Sequence, residues 1–171
     1  MPNEVAVIKT RLGDVVVETN ATAAPLTSKN FLKLAREGFY NQTTFHRVIP
    51  DFMIQGGDPN SKNADKSQHG RGGPGYTVAA EIKLPHRRGS VATARLGDSV
   101  NPEKESSGSQ FFINLKDNHF LDGNYTVFGQ VLKGMEVVDQ IALIARDQND
   151  NPLERVEMHV MVVSKEELNL A

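Results

Sequence analysis

Phe45-His46-Arg47-Val48-Ile49-Pro50-Asp51-Phe52-Met53-Ile54-Gln55-Gly56-Gly57-Asp58 is the stretch on which the reading of this chain turns. Its opening residues alternate. A strand has period two, so Phe45, Arg47 and Ile49 are expected on one face and His46 and Val48 on the other. Pro50-Asp51 interrupts, and Phe52-Met53-Ile54-Gln55 reads as a second strand that stops at Gly56-Gly57. The segment therefore brings an Arg, a Phe, a Met and a Gln to one small region. Besides His46, none of the residues it delivers there is an acid, a base or a nucleophile. A guanidinium beside an apolar wall suits chemistry that polarises a substrate without breaking a covalent bond.

Outward from this segment the chain reads as strands with two helices. Val5-Ala6-Val7-Ile8 and Val15-Val16-Val17 flank a Gly13-Asp14 turn and predict a hairpin. Pro25 with Thr27 or Ser28 starts a helix, Gly38 stops it, and Phe31, Leu34 and Ala35 fall on one helical face. Short strands are expected near 76–79, 90–94, 110–115 and 127–131. A second helix is expected over 135–145 and a last strand over 156–163. Residues 59–74 and 97–108 are polar loops, and loops of that length inside a compact domain are usually functional. Many short strands fit an antiparallel barrel, although periodicity alone does not separate a barrel from a sandwich.

The chain has 171 residues, a single-domain length, with 39% hydrophobic and 23% charged residues. A net charge of −2 argues against a nucleic-acid or anionic-membrane binder, which needs a basic field. The basic cluster His86-Arg87-Arg88 reads as a solvated loop. There is no cysteine, hence no disulfide, thiolate metal site or thiol nucleophile. That composition fits the cytoplasm. Met1-Pro2-Asn3-Glu4 carries an acid where a signal peptide needs basic residues, and no apolar run is long enough to span a membrane. Three Asn-x-Thr triplets, at Asn20, Asn41 and Asn124, are read as chance matches to the glycosylation pattern.

Several motifs fail on context. Gly70-Arg71-Gly72-Gly73-Pro74-Gly75 spells a dinucleotide fingerprint, but a polar loop precedes it and a β-rich run follows. Asp147-Gln148-Asn149-Asp150-Asn151 starts like a calcium loop, yet Pro152 and Met158 stand where Gly and Glu are needed. The five histidines show no close ligand spacing, so no metal and no cofactor is expected.

The opening stretch closely resembles the signature of the cyclophilins, the peptidyl-prolyl cis-trans isomerases. Gly108-Ser109-Gln110-Phe111-Phe112-Ile113 matches next in order, followed by Phe120-Leu121-Asp122-Gly123 and Val127-Phe128-Gly129. The resemblance implies one domain over 1–171. It implies a mainly β fold: a closed eight-stranded antiparallel barrel capped by two α-helices, with the substrate in a groove outside the packed interior. It also implies catalysed rotation about Xaa-Pro bonds in proline-containing peptides and folding proteins, by a cytoplasmic monomer that needs no nucleic acid or membrane.

By the same resemblance Arg47, Gln55 and Phe52 are the catalytic set. Met53, Phe112 and Leu121 wall the proline pocket, with Phe120 and Tyr125 beside it. Gln110 lies in the groove, and the backbone of Ala94-Arg95-Leu96 pairs with extended substrate. From the residues alone Arg47 could equally be an ordinary surface arginine, and the apolar set could be barrel core. Adjacent Phe111 and Phe112 must face opposite ways, and the motif match makes Phe112 the pocket member. Phe120 and Tyr125 replace the Trp and His of many eukaryotic members. This implies weak cyclosporin binding, because Phe has no indole donor. Two other readings compete: a non-catalytic module that binds proline segments, and a holdase chaperone. The set of Arg47, Phe52, Gln55 and Phe112 favours the enzyme, since docking alone does not require it.

Overall fold

In the computed structural model, the valine-rich runs at both ends of the chain lie side by side. β1 (Glu4–Thr10) forms a hairpin with β2 (Gly13–Thr19), and β10 (His159–Ser164) pairs antiparallel with the other edge of β1. The structure describes residues 3–170; Met1, Pro2 and Ala171 of the expected domain lie outside them. The hairpin turn falls at Arg11-Leu12, not at Gly13-Asp14, because Thr10 pairs directly with Gly13. Gly13 is needed for another reason. At φ +134° it lies so close to Val137 that a Cβ would meet Val137 Cγ2 at 2.8 Å.

The remaining strands are β3 (Phe45–Ile49), β4 (Met53–Gly56), β5 (Thr77–Val78), β6 (Ser90–Thr93), β7 (Ser106–Ser107), β8 (Phe111–Asn114) and β9 (Val127–Lys133). Eight of the ten form one sheet in the order β10-β1-β2-β9-β6-β8-β4-β3. β5 and β7 form a small separate ladder, which puts a strand inside the loop expected over 97–108.

The expected closed barrel is not formed: the main sheet is an open half-barrel whose edge strands β10 and β3 do not pair. The expected strand over 156–163 begins only at His159. The preceding residues bond to the other side of the gap, with Phe45 N donating to Val156 O (3.0 Å) and Met158 N to Thr43 O (2.9 Å) around an isolated Thr44–Glu157 bridge. One segment thus passes from residues 42–45 to β1, and β10 itself never meets β3.

α1 (Pro25–Arg36) starts at a proline with no cap from its own side chains. Glu81 supplies the cap from outside, accepting from Leu26 N (3.1 Å), Thr27 N (2.8 Å) and Thr27 Oγ1 (2.8 Å). A carboxylate there satisfies orphan amides and suits the positive end of the helix dipole. α2 (Met135–Ala142) ends three residues earlier than expected.

The interior face of the sheet carries Ile54, Val91, Phe111, Ile113 and Phe128, which pack with Phe31 of α1 and with Tyr40. Phe31 is central, its ring centroid lying 5.4 Å from Tyr40, 5.6 Å from Phe111 and 5.1 Å from Phe128. The opposite face of the same strands carries Met53, Ala92, Phe112 and Val127, a second apolar cluster. Replacing Phe31 by Ala removes the ring that joins α1 to the sheet. Urea unfolding should show a loss of about 3–5 kcal/mol; a loss below about 1 kcal/mol would mean that the cluster does not carry the fold.

Candidate active site

The second apolar cluster is the floor of a groove. A cavity of about 210 Å³ opens above it, lined by Arg47, Phe52, Met53, Gln55, Ala94, Arg95, Phe112, Leu121 and Tyr125. Phe111 points into the interior and Phe112 into this cavity, as strand alternation requires.

The alternation expected for β3 fails at its first residue. Phe45 and Val48 both enter the interior core, while Ile49 joins the outer cluster and Arg47 is exposed. The cause is a β-bulge: Phe45 pairs with Gly56 and Arg47 with Gln55, so the ladder shifts at His46. Arg47 and Gln55 become direct cross-strand neighbours at the mouth of the cavity. Among the described residues the Arg47 guanidinium has no hydrogen-bond or ion-pair partner.

Phe52 is held by a tight turn in which its N–H donates to Ile49 O (3.2 Å), with Asp51 at φ +60°. Its carbonyl accepts from Leu115 N (2.9 Å) and Asn118 Nδ2 (2.9 Å), which pins the ring at the rim. Tyr125 is enclosed on three sides. Phe112 packs edge-on at 5.7 Å, His86 edge-on at 6.2 Å, and Arg95 Cζ lies 4.7 Å from the ring centroid. The Arg95 side chain is 7% exposed and donates to Asn124 O (2.6 Å) and Leu96 O (2.8 Å). Its role in holding Tyr125 has no local signature in the sequence.

The other expected residues take different places. Gln110 lies behind the cavity wall and accepts at Oε1 from Gln55 Nε2 (3.0 Å). Phe120 is 69% exposed and stacks on Phe52 at 5.8 Å, outside the cavity lining. Leu96 is 67% exposed and also lies outside it. The backbone of Ala94 is already committed, its N–H to Gln110 O (3.0 Å) and its carbonyl to Ser107 N (2.8 Å). Within the expected segment 94–96, it is Arg95 whose backbone amide and carbonyl have no partner among the described residues.

His86 corrects the reading of the basic cluster as a solvated loop. It is fully buried and stacks parallel to Phe112 at 5.8 Å, and Asn114 Nδ2 donates to its Nδ1 (3.1 Å). Nearby, Arg88 makes a forked contact with Asp139 (2.9 and 2.6 Å). Burial pushes the His86 imidazole below its ordinary range, with Asp122 opposing.

His46 is buried and lies outside the 210 Å³ cavity. It lines, with Arg47 and Gln55, a neighbouring cavity of about 370 Å³ that also includes Lys66, His69 and Asp147. Burial lowers its pKa to about 4, with His69 and Arg47 pushing the same way and Asp58 opposing. At neutral pH it is an uncharged neighbour of Arg47. A larger cavity of about 630 Å³, lined by residues such as Glu18, Arg87 and Gln130, shares no residue with the expected site. Among the described residues no group of three or more acidic or histidine side chains could hold a metal ion, and no helix is long and apolar enough to cross a membrane.

The sequence and the fold match known proteins over most of the chain. The family model for cyclophilin type peptidyl-prolyl cis-trans isomerases matches residues 5–163. A peptidyl-prolyl cis-trans isomerase of Acinetobacter baylyi is 42% identical over 153 residues, covering 83% of this chain and 73% of its own length. Peptidyl-prolyl cis-trans isomerase-like 1 of Bos taurus is 38% identical over 152 residues, covering 88% and 87%. A crystal structure of a Cryptosporidium parvum cyclophilin type isomerase, obtained in the presence of the dipeptide Ala-Pro, superposes with a TM-score of 0.83 at 30% identity, covering 94% of this chain and 99% of that one. The chain belongs to the cyclophilin-type peptidyl-prolyl cis-trans isomerases. Rotation about Xaa-Pro peptide bonds is the activity of that family.

The buried imidazoles link stability to pH. An unfolded histidine takes up a proton below about pH 6.5, whereas folded His46 resists until about pH 4. The unfolded state therefore binds more protons in that window, and stability falls as pH drops through it, with His86 acting in the same direction. Urea midpoints measured from pH 7 to pH 4 should decline less steeply in His46→Gln than in the native protein. Parallel slopes would show that His46 titrates normally.

Proposed function

We propose that the proline ring of a substrate enters the 210 Å³ cavity against Phe112, Met53 and Leu121, while Arg47 donates to the prolyl nitrogen as the bond twists. The observation that carries this reading is a guanidinium with no partner among the described residues, lining a small cavity that also includes the apolar Met53, Phe112 and Leu121. The barrier to rotation is amide resonance, on the order of 18–20 kcal/mol. The twisted state loses that resonance and gains a free lone pair on nitrogen. A donor aimed there binds the twisted form better than either planar one. A roughly 10⁵-fold acceleration requires about 7 kcal/mol. One charge-assisted bond does not supply all of it, and the remainder comes from gripping the ring in a preorganised site while the preceding carbonyl swings.

The substrate chain runs beside Arg95, whose backbone groups are available for strand-like pairing. Main-chain pairing ignores side-chain identity, so broad choice of proline-containing segments follows, and with it assistance to protein folding. The site draws all its residues from one chain, so a monomer suffices to form it. A chain without cysteine fits the cytoplasm. Cyclosporin binding is expected to be weak, since exposed Phe120 offers no indole donor.

Cis/trans exchange of an Ala-Pro peptide followed by NMR tests the reading. The native protein should accelerate exchange, and Arg47→Ala should lose about 10²- to 10³-fold of that rate while remaining folded. A native protein that binds the peptide and leaves exchange at its uncatalysed rate would be a binding module. An arginine donor does not titrate near neutrality, so the native rate should be nearly flat between about pH 6 and 8. A steep bell-shaped profile would assign the chemistry to a titrating group instead.

A further inference from the structure

Asp58 lines neither of the two cavities that Arg47 shares, yet its carboxylate is fully buried and tied into the loop behind the site. We propose that Asp58 is a positioning residue: it anchors the Gly72 carbonyl, which sets the direction of an amide chain running through Gln110 to Gln55 and so fixes which atom Gln55 presents to Arg47. The proposal rests on the isomerase reading above.

Asp58 stands where the chain leaves β4. Its Oδ1 accepts from Asn60 N (2.8 Å) and its Oδ2 from Gly70 N, so one carboxylate holds both ends of the intervening loop. Gly72 follows directly and lies against it; a Cβ there would clash with Asp58 Oδ1 and with the Asn60 side chain. The Gly72 carbonyl then accepts from Gln110 Nε2 (2.9 Å), and Gln110 Oε1 accepts from Gln55 Nε2 (3.0 Å).

The direction of this chain follows from chemistry. A backbone carbonyl can only accept, so the end of the Gln110 amide that meets Gly72 must be its NH₂. The other end is then an oxygen, and Gln55 must meet it with its own NH₂. That leaves Gln55 Oε1 as the end of the amide not used by Gln110, on the residue that pairs across the strands with Arg47. Arg47, unbonded in this structure, is thereby offered a neutral acceptor rather than a second donor. Such an acceptor can orient the guanidinium without cancelling the charge that the substrate needs. Reversed, the chain would set an NH₂ donor against another donor. Asp58 is suited to the anchor because its two oxygens accept two separate backbone N–H groups. Asn offers one oxygen, and its NH₂ would oppose the second N–H.

The test uses the native protein, Asp58→Asn and Gly72→Ala. The second variant keeps Asp58 but drives a methyl against its Oδ1, so it shifts the Gly72 carbonyl by a separate route if the first fails to fold. Exchange of a saturating Ala-Pro peptide is measured well below each melting temperature, with the peptide dissociation constant and the side-chain amide signals of Gln55 and Gln110 in ¹H–¹⁵N spectra. Both variants should lose tenfold or more in turnover with little change in peptide affinity, and both glutamine signals should move. Variants that melt earlier but keep native turnover and unmoved Gln55 signals would make Asp58 a loop anchor alone and overturn the proposal. A native protein without exchange activity would overturn the isomerase reading instead, and the Gln55 signals would then decide whether the amide chain depends on Asp58.

Discussion

The strands β4, β8, β6 and β9 each carry alternating residues that must serve two apolar compartments separated by a single sheet. Ile54, Phe111, Val91 and Phe128 fill the interior, while their immediate neighbours Met53, Phe112, Ala92 and Val127 floor the groove. A slip of one residue in any of these strands would exchange core for pocket. The register is therefore held by the burial of large interior side chains, each contributing about 1.5–3 kcal/mol. The groove inherits its precision from that packing. It requires no separate scaffold; the open seam lies on the outer edge of β3, which pairs with β4 on its inner edge.

Arg47 poses the opposite problem. It lies on edge strand β3, two positions from a phenylalanine that the core needs. Under strict alternation Phe45 and Arg47 would share a face, so either the ring would be exposed or the guanidinium drawn inward. The bulge at His46 resolves the conflict by inserting one residue between them. The inserted residue is buried, and its imidazole is kept neutral by that burial. A charged histidine there would repel the guanidinium. The bulge thus frees one cation at the groove and keeps the neighbouring ring uncharged.

Much of this was legible in the sequence because period-two alternation is a local signal. The hairpin strands, the extent of β3 and the opposite facing of Phe111 and Phe112 follow from it, while the facing of Phe45 does not. Nine of the residues singled out by resemblance are the ones that line the 210 Å³ cavity. What stayed hidden depends on contacts distant in the chain. A bulge leaves no mark in Phe45-His46-Arg47, since it is defined by what the partner strand does. His86 sits in a basic triplet that looks solvated, and only its stacking on Phe112 buries it. Arg95 appeared as a backbone element, whereas its side chain also braces Tyr125. Phe120 and Leu96 match the family pattern by position, yet the fold leaves both outside the cavity.

The account stands on a proline ring seated over Phe112 with Arg47 poised at its nitrogen. A crystal structure of the native protein with a bound Ala-Pro-containing peptide tests that most directly. The account predicts the ring against Met53, Phe112 and Leu121, the preceding residue paired with the backbone of Arg95, and the Arg47 guanidinium within hydrogen-bonding distance of the prolyl amide. A peptide seated in the 630 Å³ cavity beside Glu18 and Gln130, or a proline in the groove with Arg47 turned away from its amide, would contradict it.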